Sequence, residues 1–290
     1  MCPCRRSMGH HPVQDHLTST HRGCRHALLI DPVEQSPEIA ADRAQTAVIC
    51  GTQLILIGGS TDTSGGSVDA TVRSIKERLE LCKFADSQSI DGNEERWEVP
   101  IVLFPSGADS LSDEADGVLF MMLMNSTDPK FIIGEQVIGA PFIAESGIEA
   151  IGTGYIVCEP GGAVGKVGSA DLITASQSER VRAYALAASM FGFKMLYLEA
   201  GSGATSPVPP SHIEISQTVP GLTIMVGGGI RTPSTVRTMV QAGAQWIVTG
   251  TMSEEAGDLD QMERDLTAVI EAIEEASIVI PDNGVRGPTG

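Results

Sequence analysis

The most regular feature of the chain is a series of short apolar runs separated by longer amphipathic stretches. Continuous apolar runs, rather than alternating ones, are typical of strands that are buried on both faces, as in parallel sheets. Eight such runs occur from residue 27 onward: "ALLI" (27–30), "LILI" (54–57), "IVLF" (101–104), "VLFMML" (118–123), "GYIVC" (154–158), "MLYLE" (195–199), "TIMV" (223–226) and "WIVTG" (246–250). The pattern therefore predicts eight parallel strands.

Helical patterns lie between several of these runs. The clearest are "PEIAADRAQTAVICG", "SVDATVRSIKERLELCKF", "SQSERVRAYALAASMFG", "PSTVRTMVQAGA" and the closing "LDQMERDLTAVIEAIEEA". Alternation of strand and helix indicates a parallel α/β fold, and eight repeats predict a modified TIM (β/α)8 barrel. The third and fourth runs are joined only by "PSGADSLSDEADG", so one helix is predicted to be shortened or lost between strands 3 and 4.

The predicted organisation is a single barrel domain over residues 26–277. Residues 1–25 are interpreted as an unstructured N-terminal extension and residues 278–290 as a C-terminal tail. The acidic stretch 85–98 is interpreted as a surface loop. A doubly wound open sheet is the competing architecture, but no G-x-G-x-x-G follows the first run, and "GGAVGKVG" (161–168) fails the phosphate-loop pattern at both ends.

Charge and cysteine content limit the partners. The 290 residues carry a net charge of −18, which repels nucleic acid and anionic membranes, so any anionic substrate must be captured locally. Six cysteines form no disulfide or zinc-binding pattern, and no apolar run reaches the length of a membrane span. We expect a cytoplasmic protein that binds no nucleic acid and makes at most peripheral membrane contact.

Glycine-rich segments follow the last two strands. "IMVGGGIRT" (224–232) ends a buried run in three glycines, and the eighth run is followed by Gly250 and Thr251. Glycine allows a ligand to approach the backbone, and amides near a helix start bind phosphate; loops 7 and 8 of such barrels often share this task. The alternative is that these glycines only permit tight turns.

Acidic residues stand at two predicted strand ends, and a serine follows a third. Tyr197 and Glu199 fall on one face of the sixth run, where Glu199 could accept a proton from a polyol hydroxyl and Tyr197 could orient it. Asp31 ends the first run and Ser60 follows the second, so the two could hold Mg²⁺. Glu199 as a rim salt-bridge partner and Asp31 as a turn residue are the alternatives.

Taken in order, "LLIDP", "LIGGST", "GYIVCEPGGAVGKVG", "YLEAGSGA", "VGGGIRT" and "IVTGT" resemble the geranylgeranylglyceryl phosphate synthase and heptaprenylglyceryl phosphate synthase family over about residues 26–275. The resemblance implies a transferase that joins the 3-hydroxyl of sn-glycerol 1-phosphate to geranylgeranyl diphosphate in archaeal phospholipid biosynthesis. It implies Mg²⁺ on Asp31 and Ser60, and a homo-oligomer. It assigns glycerol phosphate to Tyr197, Leu198, Glu199, Ala200, Gly201, Ser202, Gly203, Gly228, Gly229, Gly250 and Thr251.

The chain departs from the family pattern after Asp31-Pro32. Val33 and Glu34 stand where the family usually has an acid and a lysine, so a cation for the diphosphate is missing there. Three alternatives stay open: a longer heptaprenyl donor, a barrel isomerase or aldolase acting on a sugar phosphate, and a barrel without catalytic activity. The prenyl tail is expected across the rim, in the space left by the short connection between strands 3 and 4.

Overall fold

The computed structural model describes residues 11–19, 23–59 and 65–278, which form a closed barrel of parallel strands in chain order. Residues 27–28 of the first strand pair with 248–249 of the eighth, and this pairing closes the barrel. The predicted barrel is confirmed. Its strands are β1 (Arg25–Ile30), β2 (Leu54–Ile57), β3 (Ile101–Leu103), β4 (Gly117–Leu123), β5 (Glu149–Val157), β6 (Met195–Glu199), β7 (Thr223–Gly227) and β8 (Trp246–Thr249).

Helices surround the barrel, and all five predicted helical patterns coincide with observed helices. The described helices are α1 (Pro12–Thr18), α2 (Pro37–Cys50), α3 (Gly65–Ser87), α4 (Glu135–Ser146), α5 (Gly162–Val167), α6 (Ser178–Met190), α7 (Pro210–Gln217), α8 (Pro233–Gln241), α9 (Thr251–Glu255) and α10 (Leu259–Ile278). None of the helices in these ranges is both long and apolar enough to cross a membrane.

The strands are mostly apolar because they face two hydrophobic layers. Tyr197 and Met225 point into the barrel and pack with Trp246, whereas Leu196 and Ile224 point outward into the layer beneath the helices. All five side chains are buried, and burial of apolar area on both faces stabilises a parallel sheet.

The connection between β3 and β4 contains only a 3₁₀ turn, Ala108–Ser110, as the short linker predicts. The middle of β4 consequently stays partly exposed, from Phe120 to Met122. A π-helical turn, Lys130–Gly134, leads into α4 beside this gap. Glu135 accepts a hydrogen bond from the Ala108 amide at 2.7 Å, which ties α4 to the short turn.

The prediction that residues 1–25 are unstructured is wrong for residues 12–18, which form α1 at the N-terminal end of the barrel. Leu17 is buried against the interior side chains, and its carbonyl accepts the Trp246 indole N–H at 2.9 Å. Glu149 accepts hydrogen bonds from the Val13 and Gln14 amides and so satisfies the start of the helix. The strand β1 also begins at Arg25, inside the predicted extension.

The predicted surface loop 85–98 is wrong in part. Its first residues belong to α3, and Glu94–Trp97 form a 3₁₀ helix whose first amide groups are capped by Asn93. Trp97 is buried and donates its indole N–H to Asp86 at 2.8 Å. Most of the predicted tail, 279–290, and residues 1–10 lie outside the described residues.

Candidate active site

A cleft opens at the C-terminal rim of the barrel, where the strand-end residues were expected to meet. It encloses about 1230 Å³ of space that is continuous with solvent. The predicted residues that line it are Asp31, Tyr197, Glu199, Ser202, Gly203, Gly228, Gly229, Gly250 and Thr251. One cavity therefore contains contributions from β1, β6, β7 and β8.

Glu199 is a buried carboxyl at the base of this cleft. Its Oε1 accepts a hydrogen bond from the Gly201 amide at 2.6 Å. Burial raises the pKa of Glu199 to about 7, against the lowering effect of the hydrogen bond from the Gly201 amide. A carboxyl with this pKa is suited to accept a proton near neutral pH.

Tyr197 lies next to Glu199 with its ring in the barrel interior. Its ring packs against Phe104 at 5.4 Å and Tyr155 at 5.3 Å between centroids, which fixes its position. Burial, together with the nearby Glu199, raises the Tyr197 pKa well above its usual range. The hydroxyl therefore stays protonated and can donate a hydrogen bond to a bound oxygen.

The glycine segment after β7 brings the backbone against Glu199. Gly228 has a φ of +82°, and a Cβ at this position would lie 2.2 Å from Glu199 Oε1. Only glycine fits that combination of conformation and space. The Gly228 and Gly229 amides donate no backbone hydrogen bond to any part of the chain that the structure describes. They are therefore available to an anion.

Thr251 connects two segments of the rim. Its Oγ1 accepts a hydrogen bond from the Gly203 amide at 3.3 Å and lies 3.3 Å from the Ser202 hydroxyl. The loop after β6 and the start of α9 are thus held side by side, on the same side of the cleft as Gly228.

A group of carboxyls lies across the cleft at the end of β1. Asp31 accepts a hydrogen bond from the Val33 amide at 2.9 Å, and Gly59 packs so closely that a Cβ there would lie 1.8 Å from Asp31 Oδ2. Burial, with a contribution from Glu34, raises the pKa of Asp31. Burial and then Asp31 raise the pKa of Glu254. The negative charges of these neighbouring carboxyls therefore disfavour one another.

An apolar groove of about 820 Å³ adjoins the cleft beside the short connection between β3 and β4. Leu111, Phe120, Met121 and Ile143 are among its lining residues, with Glu135 and Gln136 from α4. The cleft and the groove share four lining residues: Gly59, Phe104, Tyr155 and Val164.

The structure does not bring every predicted residue to the cleft. Leu198 and Ala200 are buried in the outer hydrophobic layer, because they alternate with the inward-facing Tyr197 and Glu199. Gly201 contributes its amide to Glu199 rather than to the cleft wall. Ser60 lies outside the described residues, so its assignment stays a prediction.

Sequence reasoning missed several residues that line the cleft. Tyr155 could have been found by applying strand alternation to "GYIVC", since it faces inward as Tyr197 does. Arg231 could have been found because it closely follows the glycine segment. No sequence pattern marked Glu254, since its position depends on how α9 packs against β1.

Comparison with known proteins agrees with this geometry. The PcrB family matches residues 19–273. The chain belongs to the PcrB family. A relative in this family, the geranylgeranylglyceryl phosphate synthase of Methanothrix thermoacetophila, is 43% identical over 249 residues, which cover 86% of this chain and 91% of the relative. The enzyme of the same name from Methanococcoides burtonii is 42% identical over 89% of this chain and 98% of its own.

Two solved structures of other proteins superpose over most of this chain. The (S)-3-O-geranylgeranylglyceryl phosphate synthase of Thermoplasma acidophilum, solved in complex with its substrate sn-glycerol-1-phosphate, gives a TM-score of 0.81 at 34% identity and covers 92% of this chain and 99% of that one. The Thermoplasma volcanium enzyme gives a TM-score of 0.78 at 37% identity and covers 87% and 93%.

Proposed function

We propose that this protein is a phosphoglycerol geranylgeranyltransferase. It joins the 3-hydroxyl of sn-glycerol 1-phosphate to geranylgeranyl diphosphate through an ether bond and releases pyrophosphate, a step of archaeal phospholipid biosynthesis. The observation that carries the proposal is the shared wall of the two cavities: a polar cleft that contains Glu199 meets an apolar groove at Phe104 and Tyr155. The relatives, which are geranylgeranylglyceryl phosphate synthases, and the substrate bound to the Thermoplasma acidophilum enzyme support it.

The acceptor binds in the polar cleft. Its phosphate receives hydrogen bonds from the amides of Gly228 and Gly229 and from those of Gly250 and Thr251. Its hydroxyls lie over Glu199. Backbone amides suit this anion because they carry no charge of their own and are fixed by the barrel.

The reaction forms one bond and breaks another at the prenyl C1 carbon. The 3-oxygen of the glycerol attacks C1, and the bond from C1 to the diphosphate oxygen breaks with its electron pair leaving on pyrophosphate. The hydroxyl proton goes to Glu199, whose pKa of about 7 suits a general base at neutral pH. Tyr197 orients the attacking oxygen through its hydroxyl.

Asp31 would hold Mg²⁺, with Ser60 as a second expected ligand. The fit rests on the chemistry of the donor set: burial raises the pKa of both Asp31 and Glu254, Asp31 adds to the rise at Glu254, and a divalent cation beside them would offset their repulsion. No group of three or more acidic, His or Cys residues in the described ranges is arranged to enclose a metal alone. Mg²⁺ commonly takes only one or two carboxylates and completes its shell with phosphates and water. When bound, it would neutralise charge on the diphosphate.

The donor's tail lies in the apolar groove, with its diphosphate toward Asp31. A C20 donor is our first choice, and a heptaprenyl donor is the alternative. A sugar-phosphate isomerase or aldolase receives less support, because the described lining residues of the cleft include no lysine. We also expect a cytoplasmic homo-oligomer with peripheral membrane contact, and exposed apolar side chains on α4, such as Val137 and Ile138, suit a contact of either kind.

The test is incubation of the purified protein with sn-glycerol 1-phosphate, Mg²⁺ and prenyl diphosphates of graded length, followed by mass analysis. We expect a prenyl ether of glycerol phosphate, formed fastest from the C20 donor. Faster formation from the C35 donor would favour the alternative donor. No ether from any donor would refute the proposed function.

A further inference from the structure

The inference concerns Arg231, which closely follows the glycine segment of β7 and lines the polar cleft. We infer that Arg231 binds a phosphate group of the substrates, and that its ion pair with Glu255 is a resting arrangement which the substrate replaces. The inference rests on the proposed function, since it requires a phosphorylated substrate in this cleft.

The first observation is the charge of the cleft lining. Its described residues include four acids, Asp31, Glu34, Glu199 and Glu254, and a single base, Arg231. The whole chain carries a net charge of −18. A phosphorylated substrate entering this cleft therefore meets repulsion on most sides, and Arg231 is the one described cationic side chain of the lining that can offset it.

The second observation is that the backbone of Arg231 is anchored while its side chain lies in an exposed ion pair. Ile230, the preceding residue, is buried in the outer hydrophobic layer and anchors the segment. The guanidinium of Arg231 lies at the cleft mouth with Nη1 at 2.5 Å from Glu255 Oε2. The two side chains are 41% and 59% exposed, so the ion pair lies in water rather than in the protein interior.

An exposed ion pair of this kind is easily exchanged. Solvent screens the attraction between its charges, and ordering two long side chains costs entropy, so the pair contributes little stability. A phosphate offers the planar guanidinium two acceptor oxygens and more negative charge than the single contact to Glu255. Binding of a phosphate is therefore expected to move Arg231 from Glu255 to the substrate.

The competing explanation is that the pair is a brace. Arg231 follows β7 and Glu255 ends α9, so their contact also links two segments of the rim. A brace needs both partners equally, and loss of either should harm substrate binding to the same extent. A substrate-binding Arg231 predicts the opposite: removal of its resting partner should leave it freer to bind phosphate.

The experiment compares four variants with the wild type: Arg231→Gln, Arg231→Lys, Glu255→Gln and the control Arg237→Gln. Arg237 forms a similar ion pair with Glu275, at 2.7 Å and with exposures of 43% and 63%, but it lies on α8 away from the cleft lining. The measurements are kcat, KM for each substrate and the calorimetric Kd for sn-glycerol 1-phosphate, with melting temperatures to verify folding.

We expect Arg231→Gln to raise KM for one phosphorylated substrate at least about tenfold, as for loss of a charge-assisted hydrogen bond. Arg231→Lys should recover part of this loss, since it keeps the charge without the planar fork. Glu255→Gln should leave that KM unchanged or lower it, and Arg237→Gln should match the wild type.

Which KM rises identifies the phosphate that Arg231 contacts. A rise for sn-glycerol 1-phosphate, with a matching loss in the calorimetric Kd, assigns Arg231 to the acceptor; a rise for the prenyl diphosphate alone assigns it to the donor. Equal rises in Arg231→Gln and Glu255→Gln, or no rise in Arg231→Gln, would overturn the inference. A wild type that forms no ether product would instead refute the proposed function.

Discussion

The two ends of the barrel each bury an ionisable side chain, and their surroundings differ. At the N-terminal end, Arg25 donates to the carbonyls of His16 at 2.6 Å and Leu17 at 2.9 Å and lies 4.0 Å above the Trp246 ring. At the C-terminal end, Glu199 accepts one short hydrogen bond from the backbone, and burial raises its pKa to about 7.

The difference indicates that the N-terminal end of the barrel serves stability and the C-terminal end serves activity. Arg25 is held by carbonyls of α1, so the N-terminal end of the barrel contributes to folding. Glu199 and the neighbouring amides of Gly228 and Gly229 are left for a partner that the chain itself does not supply. A buried group with incomplete pairing is costly to the fold, and such groups concentrate at functional sites.

The largest expected effect is on stability and comes from a change at the N-terminal end of the barrel. Arg25→Ala should lower the free energy of unfolding by about 3 kcal/mol, because it removes buried hydrogen bonds and a cation–π contact. Chemical denaturation measures this, with Arg237→Ala as an exposed control expected within about 0.5 kcal/mol of the wild type. The folded Arg25→Ala protein should keep its turnover; a lost turnover in folded protein would contradict the separation between the two ends.

The next effect is on turnover at the open end. Glu199→Gln and Asp31→Asn should each lower kcat by at least about 100-fold, or ~2.7 kcal/mol, since one removes the base and the other the expected metal ligand. Steady-state kinetics with saturating substrates measures this. Near-normal rates in both variants would remove these residues from the mechanism.

The raised pKa of Glu199 also predicts a change in stability with pH. The folded protein holds this proton up to pH about 7, whereas the unfolded chain loses it near the ordinary value of 4.5. The folded state is therefore destabilised as the pH rises from 4.5 to 7. Relative to the wild type, Glu199→Gln should gain roughly 2 kcal/mol of unfolding free energy between pH 5 and pH 8. Denaturation curves across this range test it, and Glu275→Gln, an exposed variant, should follow the wild type.

The smallest effect is expected at the bridge between the rim segments. Thr251→Val removes the hydroxyl that meets Gly203 and Ser202 but keeps the side-chain shape. We expect KM for sn-glycerol 1-phosphate to rise about fivefold, corresponding to ~1 kcal/mol for one exposed hydrogen-bonding group. Thr238→Val, which loses a hydroxyl contact on α8, serves as the matched control and should not change KM.

The strands were predictable because they are buried on both faces, and such strands require continuous apolar runs in the sequence. The helix α4 was not predicted, since it contains Gly139 and Pro141 and is apolar over most of its length, with no amphipathic period. The helix α1 was missed for a different reason: it is seven residues long and is held by Glu149 and Trp246, which are far away in sequence.

The residues of the candidate site also include some that were predictable from the sequence and some that were not. Asp31 and Glu199 were predictable because each ends a buried strand, where a carboxyl is unusual. Leu198 and Ala200 were assigned through the family motif, which marks a stretch of backbone and does not distinguish inward from outward side chains. The position of Glu254 depends on the packing of α9, which no local pattern encodes, whereas Arg231 closely follows the glycine segment and could have been found from it.

The short connection between β3 and β4, which contains no α-helix, has a consequence for where the two substrates bind. The apolar groove lies beside the polar cleft, and the two cavities share the lining residues Gly59, Phe104, Tyr155 and Val164. Under the proposed function, a charged acceptor and an apolar donor therefore occupy separate compartments, and their reacting atoms meet where these compartments join.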